Sequence, residues 1–179
     1  GGVVRLSLLD HYNYPRVGLD VAVEGWRYDD QDLDQFSFTK IVGHVRGQIP
    51  LGTRNRRVAF QLRVSRSTAD SGNEVPIYLM ETLGGANSVR GYGEYRFRDT
   101  RNLLVNVEYR WEVWTYTDFA FFYDGGKVFS NKDDLDFTDL HSGYGFGVHM
   151  HTPGETFFNI DLAKSVQGFV VHFGSGLGF

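Results

Sequence analysis

Histidine and acidic side chains are the residues of this sequence that are best suited to chemistry. The 179 residues include six histidines and 22 acidic residues, and no cysteine. A hydrolase could use His149 or His151 with Asp161 and a serine, but no serine stands in the Gly-x-Ser-x-Gly turn that presents a nucleophile. We therefore predict no catalytic residue and no enzymatic activity.

Metal binding is the second chemistry that these side chains could support. The imidazoles of His44, His149, His151 and His172 are candidate ligands, but their spacing selects no ligand set. The acidic segment 133–139 is more typical of a solvated loop than of a cation site. We predict neither a metal nor another cofactor. The formal charge of -4 and the scattered basic residues also argue against a nucleic-acid partner.

The elements that position these residues are short alternating strands. The chain has 22 glycines and 4 prolines, with 15 phenylalanines and 10 tyrosines, a composition typical of β-structure with tight turns. Apolar and polar residues alternate in segments 3–9, 17–26, 36–49, 57–66, 102–113, 118–128, 141–151, 156–165 and 169–179. No window is apolar for long enough to form a transmembrane helix. The sequence therefore predicts an all-β, antiparallel fold.

The two faces of these strands indicate which kind of β-protein this is. In residues 102–113 one face is apolar, while the other carries both signs of charge at mid-strand. A polar lumen with an apolar exterior is typical of a transmembrane β-barrel, in which strands of about 9–11 residues cross the bilayer. The alternation leaves a soluble barrel of the lipocalin type as the alternative. The chain would supply about eight or nine strands. Since single-chain bacterial barrels have an even number, either eight close without residues 1–9 or the chain is part of a larger barrel.

The carboxyl terminus supports the membrane interpretation. The last residues, HFGSGLGF, place His172, Gly174, Leu177 and Phe179 at the spacing of the sorting signal that ends bacterial outer-membrane strands. The alternative is a plain edge strand that ends in an apolar residue. We predict that the protein lies in the outer membrane of a Gram-negative bacterium.

A series of motifs resembles one family of such barrels. The segment VRGY, Val89 to Tyr92, is followed by RDTRNLLVNVEYR, FAFFYDGGKVF, TPGETFFNIDLAKS and the Phe-ended strand. Over roughly residues 10–179 this order resembles the bacterial surface antigen family, the BamA and TamA type of outer-membrane assembly and translocation barrels. The resemblance implies that the chain is the carboxyl-terminal part of a barrel of about sixteen strands.

The resemblance also implies a site in the lumen. In such proteins the long loop, here 67–100, folds back inside, and its arginine pairs with acidic residues on the wall. The segment Val89, Arg90, Gly91, Tyr92 corresponds to that loop motif. Asp124 is the best-matched wall acid and Glu108 the second, and both lie in the polar phase of their strands. We further expect Gly85, Gly91 and Gly93 to permit tight or left-handed turns.

The predicted function follows from this resemblance. We expect a barrel that assists the insertion or translocation of polypeptides at the outer membrane. Its partners would be outer-membrane lipids, unfolded outer-membrane or secreted client polypeptides, and periplasmic accessory proteins. The glycines of the last strand, beginning with Gly174, would weaken a seam beside it. The alternative is a passive small barrel or channel without assembly activity. We expect a single barrel domain over residues 1–179, without the periplasmic POTRA modules of the family.

Overall fold

The computed structural model describes residues 1–11, 14–32, 35–153 and 155–175, and these residues contain eleven β-strands. They are β1 Gly2–Ser7, β2 Gly18–Tyr28, β3 Phe38–Leu51, β4 Thr53–Ala69, β5 Glu81–Leu83, β6 Phe97–Asp99, β7 Arg101–Trp114, β8 Thr117–Phe129, β9 His141–His151, β10 Thr156–Ser165 and β11 Gly168–Gly174. Two 3-10 turns, Ile77–Leu79 and Lys132–Asp134, lie in loops. Within these ranges we find no helix with the length and apolar character that a membrane crossing requires. The predicted all-β class is confirmed.

Nine of these strands form one antiparallel sheet. Its order is β1-β2-β3-β4-β7-β8-β9-β10-β11, so neighbours in the sheet are also neighbours in the chain except where β4 meets β7. Strand β1 pairs with β2 over six residues, from Gly2 opposite Gly25 to Ser7 opposite Asp20. The alternative in which residues 1–9 lie outside an eight-stranded barrel is therefore wrong. Within the described residues β1 does not pair with β11.

The pairing register separates an apolar face from a polar face. On one face Phe121, Phe146 and Phe173 are 54%, 50% and 68% exposed. On the other face Glu108 and Asp124 are 0% exposed. A soluble protein would bury the aromatic set, whereas a barrel in a bilayer presents it to lipid and lines its lumen with the polar set. The face assignment predicted from the alternation is therefore correct.

Two connections differ from the predicted ones. The turn expected over residues 50–56 contracts to Gly52, which has φ of 74°, and both flanking strands continue to it. The loop expected over residues 67–100 is three residues shorter, because β4 runs to Ala69. That loop also contains a small hairpin of β5 and β6. Polar residues at strand ends do not alternate with apolar ones, so the sequence pattern predicts a loop there.

The connections distinguish the two ends of the barrel. The two longest connections, 70–100 and 130–140, lie at the same end as the connection after β2, and we call this the long-loop end. The other end, which we call the short-turn end, has connections of one to four residues after β3, β7 and β9 and a ten-residue connection after β1. In outer-membrane barrels the longer loops are extracellular and the short turns periplasmic.

Candidate functional site in the barrel lumen

The loop between β5 and β6 covers the polar face of the sheet and carries the VRGY segment into it. Val89 and Tyr92 are 0% and 2% exposed and pack with Leu83 and Leu104 in a small apolar cluster. Phe97 lies at the edge of this cluster, with its ring 5.1 Å from that of Tyr92. The cluster anchors the loop on both sides of Arg90, and the loop lies in the lumen.

Arg90 is 1% exposed and is held by carboxylates from three strands. Its Nε and Nη2 donate to the two oxygens of Asp124 at 2.7 and 2.9 Å, a bidentate pair. Its Nη1 donates to Oε2 of Glu108 at 2.8 Å and lies 3.5 Å from Oδ2 of Asp161. Asp124 also accepts the backbone N–H of Arg90 at 3.1 Å. We call Arg90 and these three acids the loop clamp.

The clamp fixes both the position and the plane of the guanidinium. The carbon of the guanidinium lies 3.4 Å from the ring centroid of Phe122, so an aromatic face covers one side of the fork. A guanidinium cannot lose its proton in a protein, and its donors form a rigid planar array. Since Asp124, Glu108 and Asp161 lie on β8, β7 and β10, one side chain ties the loop to three strands of the wall.

Sequence reasoning found Asp124 and Glu108, and the structure brings both to Arg90. It considered Asp161 only for a hydrolase and His149 only for a hydrolase or a metal site, and it did not assign Arg110, His149 or Asp161 to the network around Arg90. Arg110 donates from Nε to Oε1 of Glu108 at 2.5 Å, and His149 Nε2 lies 2.8 Å from Oδ1 of Asp161. The polar phase of β7, β9 and β10 could have suggested these residues, because each occupies an inward position on its strand.

Two glycines give the loop backbone room against the wall. Gly91 has φ of 92°, a left-handed conformation that L side chains rarely adopt. A Cβ at Gly143 would collide with the backbone carbonyl of Arg90. The expected left-handed turn is also present at Gly85, with φ of 99°. Gly93 does not have a positive φ; a turn follows it at residues 94–95, and the left-handed residue of that turn is Tyr95, with φ of 56°.

The last strand contacts the same loop. The Gly91 N–H donates to His172 Nε2 at 3.4 Å, while the Gly91 carbonyl accepts from Ser165 Oγ of β10 at 2.6 Å. Gly174 lies opposite Asn159 of β10. The other predicted residues of the terminal signal, Leu177 and Phe179, lie outside the described residues.

A second buried polar group, which we call the short-turn cluster, lies near the other end of the lumen. It consists of Tyr14, Arg57, Asp118 and His151. The Tyr14 hydroxyl donates to Oδ2 of Asp118 at 2.5 Å and also accepts from Arg57. Arg57 Nη2 donates to the same Oδ2 at 2.5 Å, and the Tyr14 ring stacks on His151 with centroids 4.3 Å apart. The cluster ties the β1–β2 turn to β4, β8 and β9.

The structure does not gather the four histidines considered as metal ligands. In the described ranges, the ligand atoms that do converge belong to Glu112, Asp118 and His151. Arg57 and Tyr14 already bind Asp118. His149 and Asp161, considered for a hydrolase, are in contact, but Asp161 also faces Arg90. This arrangement suits a structural ion network.

Comparison with known proteins agrees with this geometry. A family model described as the Omp85 superfamily domain matches residues 3–178. The fold is similar to a crystal structure of BamA from Haemophilus ducreyi lacking POTRA domains 1-3, with a TM-score of 0.78 and 15% sequence identity. The match covers 98% of this chain and 41% of that one, so the chain spans less than half of that protein. The comparison with curated proteins gives no match. Because the family model extends over nearly the whole chain, this protein belongs to the Omp85 superfamily.

Proposed function

We propose that this chain is the carboxyl-terminal part of an outer-membrane barrel that helps polypeptides insert into or cross the outer membrane of a Gram-negative bacterium. Its family and the likeness of its fold to BamA support the proposal. The main observation behind it is that the loop is bound more firmly to one part of the wall than to the part beside it. The loop clamp ties the loop to β7, β8 and β10, whereas the hydrogen bond between Gly91 and His172 is the described link from the loop to β11.

Strand β11 is suited to form a seam in the complete barrel. It pairs with β10 over seven residues, from Gly168 to Gly174, and in the described residues its other edge has no partner strand. An unpaired backbone group costs several kcal/mol in lipid, so that edge has to meet a further strand of the complete barrel. Glycine weakens strand pairing through entropy and lost packing. Gly168 and Gly174 occupy inward positions here, and the sequence continues with further glycines.

Opening of this seam would supply a template for an incoming strand. The unpaired N–H and C=O groups of β11 would pair with a client strand by β-augmentation. The client would then enter the bilayer already hydrogen-bonded and avoid the cost of unsatisfied groups. The clamp would keep the wall through β10 in place while β11 moves. Client polypeptides and outer-membrane lipids are the partners that this mechanism requires, and periplasmic accessory proteins would contact the short-turn end.

The test is client folding in vesicles that contain the complete barrel. We expect a urea-denatured outer-membrane barrel protein to fold faster in these vesicles than in empty ones. A disulfide between a cysteine at Val171 of β11 and one in the strand that adjoins it across the seam should abolish the acceleration. The chain has no native cysteine to interfere.

The matched control is a disulfide on the other side of the same strand. Val171 pairs with Leu162 of β10, so L162C/V171C joins two strands that our mechanism leaves together, and it should retain activity. Undiminished client folding with the seam closed would contradict the mechanism. A steady ion conductance in planar bilayers, without any acceleration of client folding, would favour the passive channel instead.

A further inference from the structure

Two arginines face each other on the lipid-facing side of the barrel near its long-loop end. Arg66 of β4 and Arg101 of β7 are direct partners in the antiparallel register. Both are in the outward phase, since Val64 and Leu103 form the next outward pair. Like charges that lie directly opposite in a sheet destabilise it. An anion between the two guanidiniums would remove this repulsion.

Neither arginine has an acidic partner among the residues that the structure describes. The Arg101 Nε is buried and makes no hydrogen bond. The Arg66 Nε donates to the Thr68 hydroxyl at 2.7 Å. An arginine in contact with lipid is costly unless its charge is paired or reaches the interface. These guanidiniums thus retain donors for a ligand.

The arginines line a cavity of about 140 Å³. Lys132, in the loop after β8, adds a third cation, and Val64, Phe129 and Leu135 provide apolar wall. No carboxylate lines the cavity in the described structure. The nearest acids in the sequence, Asp133 and Asp134, follow Lys132 and are exposed. We call Arg66, Arg101 and Lys132 the cationic rim site.

We propose that the cationic rim site binds the phosphate of a membrane-lipid headgroup, with the acyl chains of that lipid against the apolar wall. Arginine forks bind phosphate through two parallel N–H···O bonds. The site is also at the correct depth, because it lies on the outward face at the end of the strands, where headgroups meet the hydrocarbon. A free phosphate ion would satisfy the cations but not the apolar wall. This inference rests on the membrane placement of the barrel and not on the proposed insertion of clients.

The test is native mass spectrometry of the folded chain in detergent, titrated with phosphatidylglycerol, with diacylglycerol, which has the acyl chains but no phosphate, as the reference lipid. Each basic residue near an anionic headgroup contributes on the order of a fivefold change in affinity. We therefore expect R66Q/R101Q to bind phosphatidylglycerol about thirtyfold more weakly. The single variants R66Q and R101Q should each lose about fivefold, and they serve if the double variant does not fold.

Lys164→Gln is the matched control. Lys164 is an exposed cation on the outward face of β10 at the same end, and its described contact is with the ring of Phe169, at 5.3 Å. K164Q should bind phosphatidylglycerol as the wild type does. Wild-type affinity in R66Q/R101Q, or an equal loss in K164Q, would overturn the proposal. Displacement of the lipid by equimolar inorganic phosphate would show an ion site and would overturn it as well.

Discussion

Replacing Arg90 with glutamine should release the loop from the lumen wall. The glutamine amide is neutral and shorter, so the carboxylates of Asp124, Glu108 and Asp161 would remain buried together without the cation between them. Removing one partner of a buried ion pair typically costs about 3–5 kcal/mol. This magnitude raises the population of the released loop by a factor of at least about 100. R90K keeps the charge but loses the bidentate fork, so its population of released loop should lie between those of the wild type and R90Q.

Chymotrypsin cleavage at Tyr92 reports this release, because Tyr92 is 2% exposed while the loop is clamped. When opening is fast relative to cleavage, the cleavage rate follows the open population, so R90Q should be cut at least about 100-fold faster. The control is R27Q, which breaks exposed ion pairs to Asp29 and Asp70 and should leave this rate unchanged. The free-energy change calculated from the cleavage rate of R90Q/D124N should be smaller than the sum of the changes in its single variants, since the two residues are in contact. Equal cleavage rates for R90Q and R27Q would refute the clamp.

Three further perturbations test other parts of the lumen and the loops. Gly143→Ala places a Cβ against the loop carbonyl and should also speed cleavage of the loop, whereas Gly43→Ala, with open space around it, should not. Tyr14→Phe removes the hydroxyl of the short-turn cluster and should lower the urea-unfolding free energy by about 1–3 kcal/mol, and no change would mean that the hydroxyl is not needed. A hydrogen bond from Lys127 is the main reason that the pKa of Asp136 falls to about 2. Because this folded-state pKa is depressed, the stabilisation of loop 130–140 by the Asp136 carboxylate should be complete above about pH 4 and be lost as the pH falls through about 2. Hydrogen exchange of the loop amides should show this transition in the wild type and not in D136N.

The strands were predictable wherever alternation continued across the membrane. The observed bounds of β9 and β10, His141–His151 and Thr156–Ser165, are those predicted. Two-residue periodicity determines which face each side chain occupies, so the inward positions of Glu108 and Asp124 also followed from the sequence alone. What remained hidden was structure without periodicity, such as β5 and β6, whose three-residue strands pair only inside a folded loop.

The clamp was predictable only in part, for a geometric reason. The family motif pointed to Arg90 and its two best-matched acids, which are separated from it by 18 and 34 positions. Asp161 is 71 positions away, and its approach depends on how strongly the sheet curves between β7 and β10. A pattern along one strand contains no information about that curvature. The glycines of β9 were visible as a small-residue face, but their use as space for the Arg90 carbonyl required the folded loop.

The chemistry of the clamp suits a loop that is held but can be released. Burying a guanidinium and its carboxylates removes water from both, and this desolvation offsets much of their attraction. The net contribution of the clamp to stability is therefore far smaller than the Coulomb energy alone. When such a loop leaves the wall, its charges regain water in a polar lumen. A plug packed by apolar residues would expose hydrophobic surface instead and would stay in place. The apolar cluster of Leu83, Val89, Tyr92 and Leu104 is small and has no preferred direction, whereas the hydrogen bonds of the clamp are specific in direction. A buried Arg90 is therefore better explained as a device that sets one position for the loop than as a source of global stability.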